Sequence, residues 1–293
     1  MTAVVEPIIG RYLRMEINGA PHRVYVEEAG AGTPLLCLHT AGADCRQYRG
    51  LLNDDDVLRR CRVVTFDMPW HGKSSPPDGW QDTTYQLTAA HYTEMVLAII
   101  EALDLDRPIV TGCSIGGREV LYLAADHPER IGGVIGLQSG GHVDPYYDTA
   151  WLNRPDVHGG MVCAGVVSGL ISPTAPDSGR WETLWHYMQG GPGVFKGDLY
   201  FYKIDGDVRE RLSAIDTERC PVHLLTGEYD YSCTPEDTLT VQQAVRGAQA
   251  TIMTGLGHFP MSEDYAQFRT YFLPTLDYAI AARSGLVEDS VRQ

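Results

Sequence analysis

A short glycine-rich stretch, VTGCSIGG at 110–117, places one serine between small residues directly after an apolar run. A serine hydroxyl is a weak nucleophile until a neighbouring base takes its proton. Gly112 and Gly116 permit a sharp turn and a close backbone approach, because neither residue carries a Cβ. The G-x-S-x-G spacing therefore predicts a strained turn that displays Ser114. The alternative is an ordinary glycine-rich loop. Other residues of the sequence are needed to distinguish the two interpretations.

A base and an acid for this serine occur later in the chain. His258 lies in the loop GLGHF, after the last strand-like run, and Asp230 lies in TGEYD, after the preceding run. In a catalytic triad the histidine takes the serine proton, and the acid fixes the tautomer of the histidine. Serine, then acid, then histidine is the chain order of one hydrolase fold. The sequence thus predicts a triad of Ser114, Asp230 and His258, with Asp144 as an alternative acid.

Acyl transfer also requires hydrogen-bond donors for the negative charge that develops on the carbonyl oxygen. The segment LCLHTAGAD at 36–44 ends an apolar run and turns at small residues. We expect one donor to be the backbone N–H of Ala41 in this segment. The second expected donor is the N–H of Ile115, which directly follows the nucleophile. His39, in the same segment, is a candidate for contact with the substrate.

These residues can meet only if several strands end side by side, and the sequence predicts such strands. Short apolar runs rich in β-branched residues are typical of buried parallel strands. Two alternating runs around Asn18-Gly19 predict a hairpin ahead of them. Strands that alternate with helices indicate crossover units and a parallel sheet. The predicted strands are 12–17, 22–28, 34–39, 62–67, 108–113, 132–139, 221–227 and 249–255. The predicted helices of this part are 88–103, 115–126, 236–246 and 261–282.

Residues 140–219 interrupt this alternation. The segment is rich in tryptophan and tyrosine, and glycine and proline break it often. Such a composition predicts an insertion of a few short helices that lies over the sheet. The predicted organisation is an α/β core formed by residues 1–139 and 220–293, with a cap subdomain formed by residues 140–219.

The motifs HTAG, FDMPWHGKS, GCSIGG, GEYD and GLGHF occur in this order, and together they resemble the α/β-hydrolase superfamily over nearly the whole chain. The resemblance implies a mostly parallel central sheet of about eight strands flanked by helices, with a helical cap inserted after the sixth strand. Thr40 departs from the pattern, because many members carry glycine at this position of the oxyanion segment. The nucleophile is serine rather than aspartate, so the resemblance to haloalkane dehalogenases and epoxide hydrolases is limited to the fold.

Further side chains are candidates for substrate binding. His71, in FDMPWHGKS, either lines the site or holds its own loop together. A group of aromatic side chains at helical spacing in the insertion either shapes the substrate pocket or packs the core of the cap, since large rings serve both purposes. This group consists of Trp181, Trp185, His186 and Tyr187.

Composition excludes several classes of function. The net charge of −15 and the pI of about 5.0 argue against nucleic acid and anionic membrane surfaces as partners. Seven cysteines without a C-x-x-C pair are typical of a reduced protein with buried thiols, and we expect a cytoplasmic location. No apolar stretch approaches a membrane span, and the first residues do not have the pattern of a secretory signal. The ten histidines include no H-E-x-x-H zinc motif.

The predicted function is a serine hydrolase that cleaves a small ester or a related acyl compound, without cofactor or metal. A small molecule is the expected partner, and assembly with further copies of the chain stays open. Three alternatives use the same fold. A carbon–carbon bond hydrolase of dienoate diketones would need a cation for the substrate carboxylate, with Arg118, Arg154 and Arg180 as candidates. The other two are a cofactor-free dioxygenase and a non-enzymatic ligand receptor.

Overall fold

The centre of the molecule is an eight-stranded sheet in the order β1-β2-β4-β3-β5-β6-β7-β8. The computed structural model describes residues 3–143, 149–154 and 156–285. β1 and β2 are antiparallel, β2 is antiparallel to β4, and all other neighbours are parallel, which confirms the predicted sheet. The strands are Ile9–Ile17 (β1), Ala20–Gly30 (β2), Thr33–Leu38 (β3), Cys61–Phe66 (β4), Ile109–Cys113 (β5), Gly133–Leu137 (β6), Val222–Gly227 (β7) and Gln249–Met253 (β8).

The predicted hairpin joins β1 to β2. Ile17 pairs with Ala20, so Asn18 and Gly19 form a two-residue connection. Both residues have positive φ, 50° for Asn18 and 72° for Gly19. Asn-Gly suits this turn because both central residues must adopt the left-handed conformation.

Both faces of the sheet are covered, as the apolar runs predict. Successive side chains of a strand point to opposite faces, and β3 shows this directly. Leu35 packs in a cluster with Phe268 and Phe272, whereas Leu36 packs in the cluster that contains Tyr92 and Met95 on the other side. Fully burying one such apolar side chain contributes about 1.5–3 kcal/mol to the free energy of folding. Burial on both faces therefore keeps the strand ends, which carry the predicted catalytic residues, in a defined arrangement.

Ten α-helices occur in the described ranges. The predicted core helices 88–103, 115–126 and 236–246 are confirmed within a few residues, whereas the predicted helix 261–282 is divided into two helices at Asp264, whose backbone is not helical. None of the ten helices is both long enough and apolar enough to cross a membrane. The helices are Arg49–Leu52 (α1), Asp55–Leu58 (α2), Ala89–Ala102 (α3), Ile115–Asp126 (α4), Gly159–Ser168 (α5), Asp177–Met188 (α6), Val194–Tyr200 (α7), Pro235–Ala244 (α8), Pro260–Glu263 (α9) and Tyr265–Arg283 (α10).

The cap lies between β6 and β7, which confirms the expected insertion after the sixth strand. Its helices are α5, α6 and α7, and one π-helical turn, Phe201–Asp205, continues α7. α5 packs against α6, and α6 packs against α9 of the core, directly after the predicted histidine loop. The cap is thus fixed to the same end of the sheet as the predicted catalytic residues.

Candidate active site

Ser114 lies at the sharp turn between β5 and α4. Its φ of 60° and ψ of −110° lie in a region that residues with a side chain rarely adopt. A Cβ on Gly112 would lie 2.4 Å from the carbonyl oxygen of Gly116, and a Cβ on Gly116 would lie 2.7 Å from that of Leu38. Only glycine fits these two positions, so the G-x-S-x-G spacing reflects close backbone packing. The turn has the strained geometry of a nucleophile elbow.

His258 and Asp230 form a buried hydrogen-bonded pair. Nδ1 of His258 lies 2.7 Å from Oδ2 of Asp230. The other carboxylate oxygen of Asp230 accepts the backbone N–H groups of Ser232 at 2.8 Å and Cys233 at 3.0 Å. These bonds orient the carboxylate, so that Nδ1–H of the imidazole donates to it. Nε2 is then the ring nitrogen that can accept a proton.

Ser114 and His258 line the same cavity, which has a volume of about 240 Å³. No hydrogen bond between their side chains occurs in the described parts of the chain, and catalytic hydrogen bonds are often long before substrate binds. The remaining wall is largely apolar and comes from the core and the cap. It consists of Ala41, Trp151, Val166, Val167, Leu170, Tyr187, Phe195, Leu199, Tyr202, Ser232 and Phe259. A second cavity, around Trp70 and Tyr85, is lined by neither Ser114 nor His258.

The segment of residues 39–44, here called the oxyanion loop, lies beside Ser114. The N–H of Thr40 donates to Gln47 at 3.0 Å, and that of Gly42 donates to Asp198 at 2.7 Å. The N–H of Ala41, between them, has no hydrogen-bond acceptor in the described part of the chain. Ile115 is the first residue of α4, where backbone N–H groups have no acceptor within the helix. Both predicted oxyanion donors are thus available for a ligand.

His39 is buried and holds loops together, and it does not line the cavity. Its Nε2 accepts the N–H of Met68 at 3.2 Å, and its Nδ1 lies 2.9 Å from the carbonyl oxygen of Thr40. Burial, with the nearby His71, lowers the pKa of His39 to about 4. The ring is therefore neutral at physiological pH, with Nδ1–H as the donor to Thr40.

The remaining predicted substrate-binding residues differ in whether they line the cavity. Tyr187 is buried and lines the cavity. Trp181 is 67% exposed and Trp185 is 50% exposed, so these rings lie on the outer face of α6 and not in the cavity. His186 is buried outside the cavity, and desolvation lowers its pKa to about 4. His71 contacts Asp198 of the cap rather than the cavity.

Several cavity residues were not predicted from the sequence. They lie in α5, in the segment that follows it, and in α7, and Val167, Leu170, Phe195 and Leu199 are the main examples. An available signal was the apolar stretch MVCAGVVSGL at 161–170, which is unusual in an otherwise polar and aromatic insertion. Asp144, the alternative acid, lies outside the described residues.

The model of a protein family described as alpha/beta hydrolase fold matches residues 33–158 of the chain. The chain is an α/β-hydrolase-fold protein.

Two solved structures share this fold over most of their length. One is a thermophilic esterase from Thermogutta terrifontis, with a TM-score of 0.77, 16% identity, and coverage of 92% of this chain and 99% of that chain. The other is the enol-lactonase from Burkholderia xenovorans LB400, with a TM-score of 0.76, 19% identity, and coverage of 92% and 100%. At these identities, the similarity shows that this chain and the two proteins share a fold, and it carries no information on the substrate.

A curated relative is similar over a shorter stretch. Zearalenone hydrolase from Bionectria ochroleuca is 29% identical over 109 residues, which are 36% of this chain. The matched part spans 39% of that relative's length.

The buried side chain of Glu263 supports the loop that carries His258. Its side chain accepts the backbone N–H of Gly257, and also those of Ser172 and Phe259 at 3.4 Å each. Burial raises the pKa of Glu263 to about 7, although these N–H groups and the nearby His258 act in the opposite direction. The carboxyl group is therefore protonated in the folded protein over a pH range in which it is ionised in the unfolded chain.

We expect the stability that Glu263 contributes to depend on pH. The contribution is complete below about pH 4.5, the ordinary pKa of the unfolded state, and it is lost as pH rises to about 7. At about 1.4 kcal/mol for each unit of pKa difference, the loss is on the order of 3 kcal/mol. Urea unfolding of the wild type and of Glu263→Gln at several pH values from 4 to 8 measures it. Because glutamine does not titrate, parallel curves for the two proteins would contradict the assignment.

Proposed function

We propose that this chain is a serine hydrolase that cleaves a small, neutral ester or a related acyl compound. The observation that supports this most is the arrangement of Ser114 and the His258–Asp230 pair on one apolar cavity. The backbone N–H groups of Ala41 and Ile115 complete the group. A nucleophile at an elbow, a base oriented by an acid, and two available donors are the parts that acyl transfer needs.

The proposed reaction follows from the roles of these residues. Nε2 of His258 takes the proton of Ser114 while the serine oxygen forms a bond to the substrate carbonyl carbon. The N–H groups of Ala41 and Ile115 stabilise the negative oxygen of the tetrahedral intermediate. His258 then gives its proton to the departing alcohol as the ester bond breaks. A water molecule, activated by His258, releases the acid from the acyl-enzyme and restores the serine.

The cavity favours a neutral substrate over a carboxylate. No lysine or arginine occurs among the residues that line it in the described ranges. Arg118 is fully buried outside the cavity and donates to the carbonyl oxygens of Gly140 and Tyr202, at 2.9 and 2.5 Å. Arg154 pairs with the exposed Asp156, and the other predicted candidate, Arg180, does not line the cavity either. A dienoate carbon–carbon hydrolase would need such a cation at the cavity. That function therefore has less support than ester cleavage.

The comparisons support the same class of reaction. The structural relatives named above are an esterase and an enol-lactonase, and the curated relative is a hydrolase. We extend to this chain only the cleavage of an acyl–oxygen bond. An open-chain ester and a lactone are the two forms of substrate to be compared.

A substrate panel tests the proposal against the other two alternatives. Short p-nitrophenyl esters and simple lactones, assayed in air and under anaerobic conditions, should be hydrolysed at equal rates in both atmospheres. Turnover that requires oxygen would support the cofactor-free dioxygenase. Saturable binding of such compounds without turnover would support the receptor.

We expect the cavity to select for short acyl groups. Its volume of about 240 Å³ lies below the range of about 300–1,000 Å³ that is usual for ligand pockets. The Leu170 side chain forms part of the wall, while its backbone carbonyl accepts the N–H of His258 at 2.9 Å. Leu170→Ala shortens only the side chain, so it should enlarge the cavity and leave that hydrogen bond in place.

The expected result for Leu170→Ala is an increase of about tenfold in the kcat/KM ratio of p-nitrophenyl hexanoate to p-nitrophenyl acetate, as for one or two methylene groups in an apolar pocket. Trp185→Ala is the matched control, because Trp185 belongs to the cap but lies half-exposed outside the cavity. An equal change in both variants would show that loosening of the cap, and not the wall at Leu170, sets the selectivity.

A further inference from the structure

A buried carboxylate of the cap binds the oxyanion loop. Asp198, in α7, has a side chain with no exposed surface. Its Oδ2 accepts the backbone N–H of Gly42 at 2.7 Å and lies 2.8 Å from Nε2 of His71. Its Oδ1 accepts the hydroxyl of Tyr85 at 2.7 Å. Three donors from three different loops of the core thus converge on one cap residue.

The partner of this carboxylate is the imidazole of His71. Nδ1 of His71 lies 3.0 Å from the carbonyl oxygen of Pro69, and Nε2 faces Asp198, so both ring nitrogens face acceptors. Burial alone would lower the pKa of His71, but the charge and hydrogen bond of Asp198 outweigh it, and the pKa is raised. A charge-assisted hydrogen bond of this kind is about twice as strong as a neutral one. The bond holds Asp198 in place beside Gly42.

A second cap helix binds the same loop at Thr40, two residues before Gly42. The hydroxyl of Tyr187, in α6, lies 2.5 Å from Oγ1 of Thr40. Thr40 in turn donates both its backbone N–H and its hydroxyl to Oε1 of Gln47, each at 3.0 Å. Since the Thr40 hydroxyl is already used as a donor, it accepts from Tyr187. Thr40 is the residue at which the sequence departs from the glycine of related proteins, and its side chain provides this contact.

Backbone packing adds a third connection between cap and loop. Gly42 has a φ of 69°, and a Cβ at this position would lie 2.7 Å from Cβ of Phe195 in α7. The cap therefore presses directly on the turn, in addition to its hydrogen bonds. The two residues on either side of Ala41 are both held by the cap, while the N–H of Ala41 itself faces no acceptor in the described part of the chain.

We propose that the seated cap assembles the oxyanion hole: Asp198, paired with His71, and Tyr187 hold Gly42 and Thr40 so that the N–H of Ala41 points to the reacting oxygen. Asp198 and His71 are positioning residues that act through the loop, and they do not line the cavity. This inference rests on the proposed hydrolase function for its catalytic consequence. The chemistry then proceeds only with the cap in contact with the loop, so that closure over a substrate and activation of the site are one event.

The test measures the loop and the reaction separately. Amide hydrogen exchange of the peptide that contains residues 39–44 reports on the loop without any substrate, and the β6 peptide serves as the reference for global unfolding. In Asp198→Ala we expect faster exchange in the loop peptide only. With p-nitrophenyl acetate we expect kcat to fall by about 100-fold, the cost of one oxyanion donor, with KM changed by less than about threefold.

Two variants control for structural damage. Asp198→Asn should restore most of the protection and rate, because its amide oxygen can still accept from Gly42 while its NH₂ group faces the Tyr85 hydroxyl. Tyr85→Phe removes one donor to Asp198 without touching the loop, and it should behave as the wild type in both measurements. If Asp198→Ala does not fold, Tyr187→Phe tests the contact with Thr40 by the same exchange measurement.

Unchanged amide exchange of the loop peptide in Asp198→Ala would overturn the inference. Faster exchange of that peptide without a loss of kcat would overturn it as well. Equal losses in Asp198→Ala and Tyr85→Phe would also overturn it, since they would indicate general loosening of the cap. If the wild type hydrolyses no ester, the proposed function fails, and the exchange result still decides whether the cap holds the loop.

Discussion

Replacing Ser114 with alanine is expected to reduce kcat on p-nitrophenyl acetate by about 10⁶-fold, the scale seen when the nucleophile of subtilisin is removed. Alanine has no oxygen to form the acyl-enzyme, and His258 then has no proton to take. The residual rate over water comes from the oxyanion donors and from binding alone. The backbone turn is retained, because the glycines that allow it are unchanged.

Labelling and a matched serine variant complete this test. A fluorophosphonate should modify the wild type once, at Ser114, as read by peptide mass spectrometry, and it should not modify the alanine variant. Ser74→Ala is the control, since Ser74 is also buried and hydrogen-bonded, at 2.6 Å to the carbonyl oxygen of Asp67, but lies outside the cavity. We expect it to lower stability and leave kcat unchanged. A label on another residue, or activity retained in Ser114→Ala, would remove Ser114 from the mechanism.

The parts of the fold predicted correctly from the sequence depend on local patterns. The hairpin at Asn18-Gly19 follows from the backbone freedom of two residues, and the buried strands follow from short β-branched runs. The turn at Ser114 could be predicted for the same reason. Gly112 is required by the backbone of Gly116, four residues later, and such a local contact leaves a readable spacing, although Gly116 itself packs against the distant Leu38 of β3.

The parts that could not be predicted depend on contacts between distant segments. His71 and Asp198 are 127 residues apart, and Thr40 and Tyr187 are 147 residues apart. No local pattern shows that these side chains meet, because the meeting depends on how the cap is seated on the core. The orientation of α6 could not be predicted for the same reason. Its tryptophans have the spacing of a helix, but periodicity alone does not tell which face of a cap helix is turned to the cavity.

Asp230→Asn is expected to lower kcat on the same ester by about 10⁴-fold, the effect of the corresponding change in a serine protease. The asparagine oxygen can still accept the N–H groups of Ser232 and Cys233, so the loop should keep its conformation. Its NH₂ group then faces Nδ1 of His258 as a donor. The imidazole must take the tautomer with hydrogen on Nε2, and in that form it cannot accept the proton of Ser114.

The matched variant is Asp144→Asn, since Asp144 is the other acid that the sequence allows. We expect it to change kcat far less than Asp230→Asn does, because Asp230 already lies 2.7 Å from Nδ1 of His258 and two backbone N–H groups orient it. Single-turnover measurements on both variants separate acylation from product release. Because the wrong tautomer of His258 blocks proton transfer from Ser114, we expect acylation itself to be slowed in Asp230→Asn, while the thermal midpoint stays close to that of Asp144→Asn. The reverse ranking of the two variants would place the acid after β6 instead of β7, and the pair of Asp230 and His258 would then be structural.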